Sequence, residues 1–223
     1  MPVTISPLQR SDIPLFVRIE LEAFRSHPRI PMLWPRGYTD DLYAYYESNK
    51  NRTFDDPECQ FLKAVDDETG KMVAVSEWTF SLDTKKQAEN EAVDPNGAPP
   101  ANWPIDGNWE LKRFFSVNSE KWNREWLKGQ PYIELNFLVT DPEYQGKGAG
   151  TALLSWGVQQ ADKLGARMAL ESTPAGLSLY KRVGFRQADV IKADMKEFGW
   201  TQPYDPEAAK RVWMVRDPSP GSA

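Results

Sequence analysis

The segment Leu138-Val139-Thr140-Asp141-Pro142-Glu143-Tyr144-Gln145-Gly146-Lys147-Gly148-Ala149-Gly150-Thr151 sets three glycines within five positions between the end of an apolar run and the start of an amphipathic helix. The first turn of a helix leaves backbone N–H groups unpaired, and the helix dipole adds partial positive charge there. Glycines let a large anion approach the backbone closely. The segment therefore reads as a pyrophosphate cradle, with Lys147 able to add a point charge and the Thr151 hydroxyl a further donor. Two other phosphate loops do not fit. A Walker A loop needs a lysine and a Ser/Thr after its second conserved glycine, whereas Gly150 is followed by Thr151-Ala152. A dinucleotide fingerprint needs a sixth-position glycine, and counting from Gly146 that place is Thr151.

Gln145-x-x-Gly148-x-Gly150 resembles the Q/R-x-x-G-x-G/A signature of the GNAT N-acetyltransferases, and Leu179-Tyr180-Lys181-Arg182-Val183-Gly184-Phe185 looks like the same family's L-Y-x-x-x-G-F. The strand–helix–strand–helix–strand order between Ile133 and Ala188 is similar too. Asp194-Met195-Lys196-Glu197-Phe198-Gly199 looks like a loop of fungal small-molecule-type members. The resemblance implies an α/β GNAT fold: a central mixed, largely antiparallel twisted sheet with splayed fourth and fifth strands and flanking helices. It implies acetyl-CoA as cofactor. The pantetheine arm would pair with the backbone of Leu138, Val139 and Thr140 as an added strand does. The pyrophosphate would sit on the amides of Gln145, Gly146, Lys147, Gly148, Ala149 and Gly150.

Acyl transfer to an amine requires a neutral nucleophile, a stabilised oxyanion and a proton for the departing thiolate. Tyr180 occupies the family's tyrosine position and is expected to donate to the CoA sulfur. Glu134 resembles the glutamate base of the histone-acetylating branch, and a charge in so apolar a strand wants a reason. Glu171 on the next strand is the second base candidate. Many members carry asparagine seven residues before the tyrosine. Here that place is Thr173, a departure that alters hydrogen bonding on the cofactor side.

Several elements must position these groups. Val3–Ile5 alternates as a short strand. Ser11 or Asp12 can cap a helix reaching Phe24, with Pro14 tolerated in its first turn. Three prolines between His27 and Gly37 break that helix, and a second is expected over 39–48. Strands over 60–65 and 72–80 flank a turn ending at Gly70. Residues 81–130 read as an insertion with a helix over 109–127. Its Trp109, Trp122 and Trp126 are expected mainly to pack on the core, although Trp103 and Trp109 could cap a cleft. Strands follow over 133–140, 167–171, 185–191 and 212–215, with helices over 151–164 and 177–183. Phe137 and Trp156 are expected near the acyl pocket. Residues 1–216 thus form one domain, and 217–223 read as a disordered tail.

The chain has 223 residues, a net charge of −5, and a single histidine and a single cysteine. An acidic chain offers no general field for nucleic acid or anionic lipid. One cysteine excludes an intrachain disulfide, and Cys59 reads as a buried thiol. One histidine and one cysteine fall short of the usual zinc ligand set, and His27 reads as a loop residue rather than a catalytic one. No apolar run is long enough to span a membrane, and a cytoplasmic setting is expected. The function expected is N-acetylation of a primary amine, first of a small molecule. Acetylation of a protein N-terminus or lysine, or a CoA-binding module without transfer, are the alternatives.

Overall fold

The computed structural model describes residues 1–89, 94–127 and 129–219. Seven strands form one sheet: β1 Val3–Pro7, β2 Cys59–Asp66, β3 Met72–Ser81, β4 Tyr132–Thr140, β5 Arg167–Ser172, β6 Arg186–Ile191 and β7 Arg211–Arg216. Their order is β1-β2-β3-β4-β5-β7-β6. Every adjacent pair is antiparallel except β4–β5, which is parallel.

That one parallel step creates the opening the fold needs. β4 and β5 pair only from Tyr132↔Arg167 to Leu135↔Leu170. β4 then continues to Thr140 without a partner on that side among the described residues, which is the expected splay. A bulge lies at the point of divergence: Glu77 of β3 faces Phe137 while its neighbour Trp78 faces Leu135, so Asn136 is the extra residue. An extra residue bends its strand and sharpens the local twist. The Asn136 amide is anchored by donating to Thr79 Oγ1 at 2.8 Å.

Helices cover both faces of the sheet. α1 Ile13–Phe24, α2 Ile30–Leu33, α3 Asp40–Phe54 and α5 Trp109–Trp126 pack on one face with Val75, Val139, Trp213 and Val215. α6 Ala149–Leu164 and α7 Leu177–Arg182 pack on the other with Trp78, Leu135, Val212 and Met214. Two shorter helices, α4 Thr84–Glu89 and α8 Pro206–Ala209, complete the set among the described residues. The alternation along β7, with Trp213 and Val215 to one side and Val212 and Met214 to the other, is the two-residue period of a strand buried on both faces.

Several expectations change in detail. α3 runs on to Phe54 because Lys50 is itself buried, held between Glu20 of α1 at 3.1 Å and Glu77 of β3 at 2.6 Å. The proline-rich stretch after His27 still admits α2, since Pro31 falls in its first turn, where no N–H is needed. Asp12 does not cap α1; its carboxylate takes the Gln9 N–H at 2.9 Å and Lys63 Nζ at 2.6 Å. Cys59 is half-buried at the start of β2, with Sγ 3.6 Å from Thr79 Oγ1. Trp103 and Trp109 pack on each other at 4.9 Å, and Trp103 on Trp34 at 5.1 Å. Trp156 packs on Trp78 at 6.0 Å.

α6 lies very close to the sheet. A Cβ at Gly157 would stand 2.2 Å from the Trp78 ring, so only glycine fits there. The helix is also tied at its far end: Asp162 holds the Arg216 guanidinium in a fork at 2.7 and 2.8 Å. The expected tail begins with residues that make contacts. Asp217 accepts from Arg167 at 2.7 Å, and Ser219 N–H donates to Asp162 at 2.8 Å. Residues 220–223 lie outside the described residues, as do 90–93 and 128 of the expected insertion.

Candidate active site

The splay opens into a cavity of about 690 Å³. Its floor is β4 from Glu134 to Leu138 with Thr140, and Glu171 of β5 stands beside it. α7 brings Tyr180, and the turn before it brings Thr173 and Gly176. The roof is Glu20 and Phe24 of α1, the His27–Leu33 segment, and one stripe of α5 made of Lys112, Ser116, Ser119, Glu120 and Asn123. Arg211 closes the side from β7.

The glycine loop reaches the same cavity from the other direction. Gly148 is the N-cap of α6 with φ 97°, and Gly146 has φ 74°. Both lie in the left-handed region that side chains disfavour. A Cβ at either would meet nothing within 4 Å, so the demand is conformational and the front of the loop is open. α6 begins at Ala149, so the N–H groups of Ala149, Gly150 and Thr151 all fall in its unpaired first turn. Gln145 donates its amide to the Thr140 carbonyl at 3.2 Å, pinning the loop to the strand end. The exposed Lys147 lies 4.8 Å from the Tyr144 ring and does not line the cavity. Leu138, Thr140, Gly150 and Thr173 line the cavity, whereas Val139 turns its side chain into the core. A pyrophosphate and its arm fit this arrangement, since the loop offers donors and open space and the unpaired half of β4 offers backbone.

Glu134 is partly buried, and its Oε2 accepts from the Asn123 amide at 3.3 Å. Burial, reinforced by the neighbouring Glu171 charge, pushes its carboxyl up to about 7. Glu171 is differently placed. It holds Arg211 at 2.5 Å and also accepts from the Ser119 hydroxyl, so it stays tied in an ion pair. Tyr180 is buried, and burial pushes its phenol up to about 12, which keeps the proton on oxygen. Its ring is wedged against Phe185 at 5.9 Å. It also rests on Gly176, where a Cβ would stand 3.0 Å from the ring.

The structure therefore brings Glu134, Glu171, Tyr180, Thr173 and Phe137 to one cavity, and leaves Trp103, Trp109 and Trp156 out of it. Sequence reading passed over Arg29, Lys112, Asn123 and Arg211. One signal was available: Lys112, Ser116, Ser119 and Asn123 recur at helical spacing on α5, in the stripe directly beside the buried Leu111, Phe115 and Trp122. A polar stripe that faces inward is the mark of a cavity wall. His27, read as loop, also lines the cavity; burial lowers it to about 4, so its ring is neutral near pH 7.

Solved structures share this architecture across nearly the whole chain. A protein of Corynebacterium glutamicum described as histone acetyltransferase HPA2 and related acetyltransferase matches with TM-score 0.62 and 21% identity, covering 100% of both chains. A Drosophila melanogaster polyamine N-acetyltransferase matches with TM-score 0.64 and 15% identity over 97% of this chain and 100% of its own. A mosquito arylalkylamine N-acetyltransferase like 5b matches with TM-score 0.62 and 16% identity over 97% of this chain and 100% of its own. The class is thus that of the α/β acetyltransferase fold. The chain belongs to the acetyltransferase (GNAT) family, whose profile matches residues 19–185. That family uses acetyl-CoA as its acyl donor. An uncharacterised N-acetyltransferase of Methanocaldococcus jannaschii is 29% identical over 121 residues, 52% of this chain and 47% of its own length. The chain thus spans about half the length of that relative.

Proposed function

We propose that this chain transfers an acetyl group from acetyl-CoA to the primary amine of a small molecule. The observation that carries the reading is a single cavity bounded by Gly150 and Thr140 at the loop, Tyr180 at the side and Glu134 on the floor. The amides of 145–150 would hold the pyrophosphate, and the free backbone of β4 from Leu138 to Thr140 would pair with the arm. When bound, acetyl-CoA supplies an electrophilic thioester.

The protein's own groups then account for the protons. A bound amine arrives largely as its ammonium form, so Glu134, poised at about 7, takes the first proton to leave a neutral nucleophile, and the second N–H proton leaves to water as the C–N bond forms. An ordinary amine has a pKa near 10.4, so the base works against a gap of about 3 units and must be held close to the nitrogen. Tyr180 hydrogen-bonds the sulfur as the C–S bond breaks. With its phenol at about 12 and a thiol near 8.5, full transfer from Tyr180 is uphill, so the thiolate takes its final proton from water. Glu134 returns its proton to water, and the products are an amide and a free thiol.

A small acceptor fits an enclosed roof made by α1, α2 and α5. Thiol release from acetyl-CoA across an amine panel, with a peptide library beside it, tests the reading. Amines are expected to turn over, and Gly148→Glu is expected to weaken CoA binding by calorimetry because it sets a carboxylate at the cradle. Wild-type CoA affinity in that variant would remove the loop from the site, and turnover confined to peptides would remove the small-molecule assignment.

A further inference from the structure

The carboxylates around the cavity are, with one exception, already matched. Glu20 and Glu77 both turn to Lys50, at 3.1 and 2.6 Å. Glu171 holds Arg211 at 2.5 Å, and Glu120 pairs with Arg124 at 2.6 Å. Among the described residues, Glu134 alone faces the cavity without a cation, its partner being the Asn123 amide at 3.3 Å.

Two cations stand in the opposite situation. Arg29 is only 9% exposed and lines the cavity, yet its Nε and Nη1 meet no acceptor among the described residues. Its guanidinium lies 5.0 Å from the Phe115 ring, which Arg211 shares from 4.2 Å. Lys112 lines the same cavity and makes no ion pair among the described residues. His27 adds a third donor. Its Nδ1 accepts from the Arg29 backbone N–H at 3.2 Å, which puts the proton of the neutral ring on Nε2, and Nε2 is also buried without a partner among the described residues. Buried polar groups are ordinarily satisfied, and a buried charge is ordinarily paired. Here two neighbouring residues present donors with no hydrogen-bond acceptor among the described residues, the nearby Glu171 being engaged with Arg211.

We infer that the acceptor is an amine that also carries a carboxylate, with its amine at Glu134 and Asn123 and its carboxylate on Arg29 and His27. This rests on the amine-acetylation reading above. Asn123 Oδ1 is buried without a partner among the described residues, so it can accept an N–H of the same amine that Glu134 deprotonates. A guanidinium fork matches a planar carboxylate with two parallel hydrogen bonds. A plain arylalkylamine would leave Arg29 unmatched, and a polyamine would set further positive charge beside it.

The test uses the full chain and sets of one skeleton in three forms: phenylalanine, phenylalaninamide and phenethylamine; leucine, leucinamide and isopentylamine; ornithine, ornithinamide and putrescine. In at least one set the carboxylate form is expected to exceed both others in kcat/KM by tenfold or more. Arg29→Met should collapse that ratio toward one, and Arg29→Lys should restore part of it. Thermal melting without acetyl donor supplies a second arm: the preferred acid should raise the wild-type Tm more than its decarboxylated partner does, and Arg29→Met should reduce that difference. Amide or decarboxylated forms matching the acid in every set would overturn the inference, as would a stronger response to an aminoalkyl phosphate. An absence of turnover with every amine would instead defeat the transferase reading, and the melting comparison would then decide the carboxylate site by itself.

Discussion

Glu134 sits between Ile133 and Leu135, both buried, in a strand with hydrophobic layers on either side. Raising its carboxyl from 4.5 to about 7 means that the folded state binds more protons than the unfolded chain across that window. Stability contributed by the neutral form is therefore full below about pH 4.5 and is lost as pH rises toward 7, a difference of roughly 3 kcal/mol. Glu134→Gln is expected to raise Tm at pH 8 while lowering kcat/KM, measured by calorimetry and steady-state assay. Its rate deficit should be greatest near pH 7–8 and shrink as the amine deprotonates unaided toward pH 10. The wild-type enzyme should lose activity as pH falls below about 7, where the base is protonated, whereas the variant should follow deprotonation of the amine itself, rising up to about pH 10. Tyr180→Phe keeps the packing on Gly176 and Phe185. Because its phenol serves as hydrogen-bond donor, we expect kcat to fall about 10²-fold, the lower end of the general-acid range, with CoA affinity nearly unchanged in a binding titration.

Among the elements, the central unit from β4 to α7 was legible in sequence because each piece has a local signature: an apolar run, a glycine cradle, an amphipathic helix ended by Gly165, and a second glycine at Gly184. The unit's rigidity was not legible, since it depends on contacts between distant residues. Gly157 reads as an indifferent helix glycine until Trp78 is found beneath it. Gly157→Ala should push α6 off the sheet, at a cost of about 1–3 kcal/mol by urea denaturation, and weaken CoA binding by shifting the helix start. The roof was hidden for a related reason. Arg29 lies in a proline-rich stretch that looks like a connector, and the partners of Lys50 come from α1 and β3, 30 and 27 residues away in sequence.

Over the whole molecule, two sets of charges join the layers. Lys50 links α1, α3 and β3 on one face. Asp162 and Arg216 link α6, β7 and the 217–219 segment on the other, with side-chain exposures of only 14% and 8%. The guanidinium hydrogen bonds hold the Asp162 carboxyl below its ordinary value, so this contribution is present above about pH 4 and is lost as pH falls through the lowered value. Asp162→Ala should cost about 3 kcal/mol at pH 7 and less at pH 3, by up to about 1 kcal/mol, as urea midpoints at the two pH values would show. The aromatic side of the molecule has a different use. Trp213 of β7 stacks on Trp122 of α5 at 4.1 Å and 7°, and Trp122 on Trp126 at 5.7 Å and 13°. Indoles this close exchange excitation, so unseating α5 is expected to change the tryptophan emission. Because α5 carries Lys112, Ser119 and Asn123, the protein holds a built-in optical gauge of whether its cavity wall is seated, readable without any label.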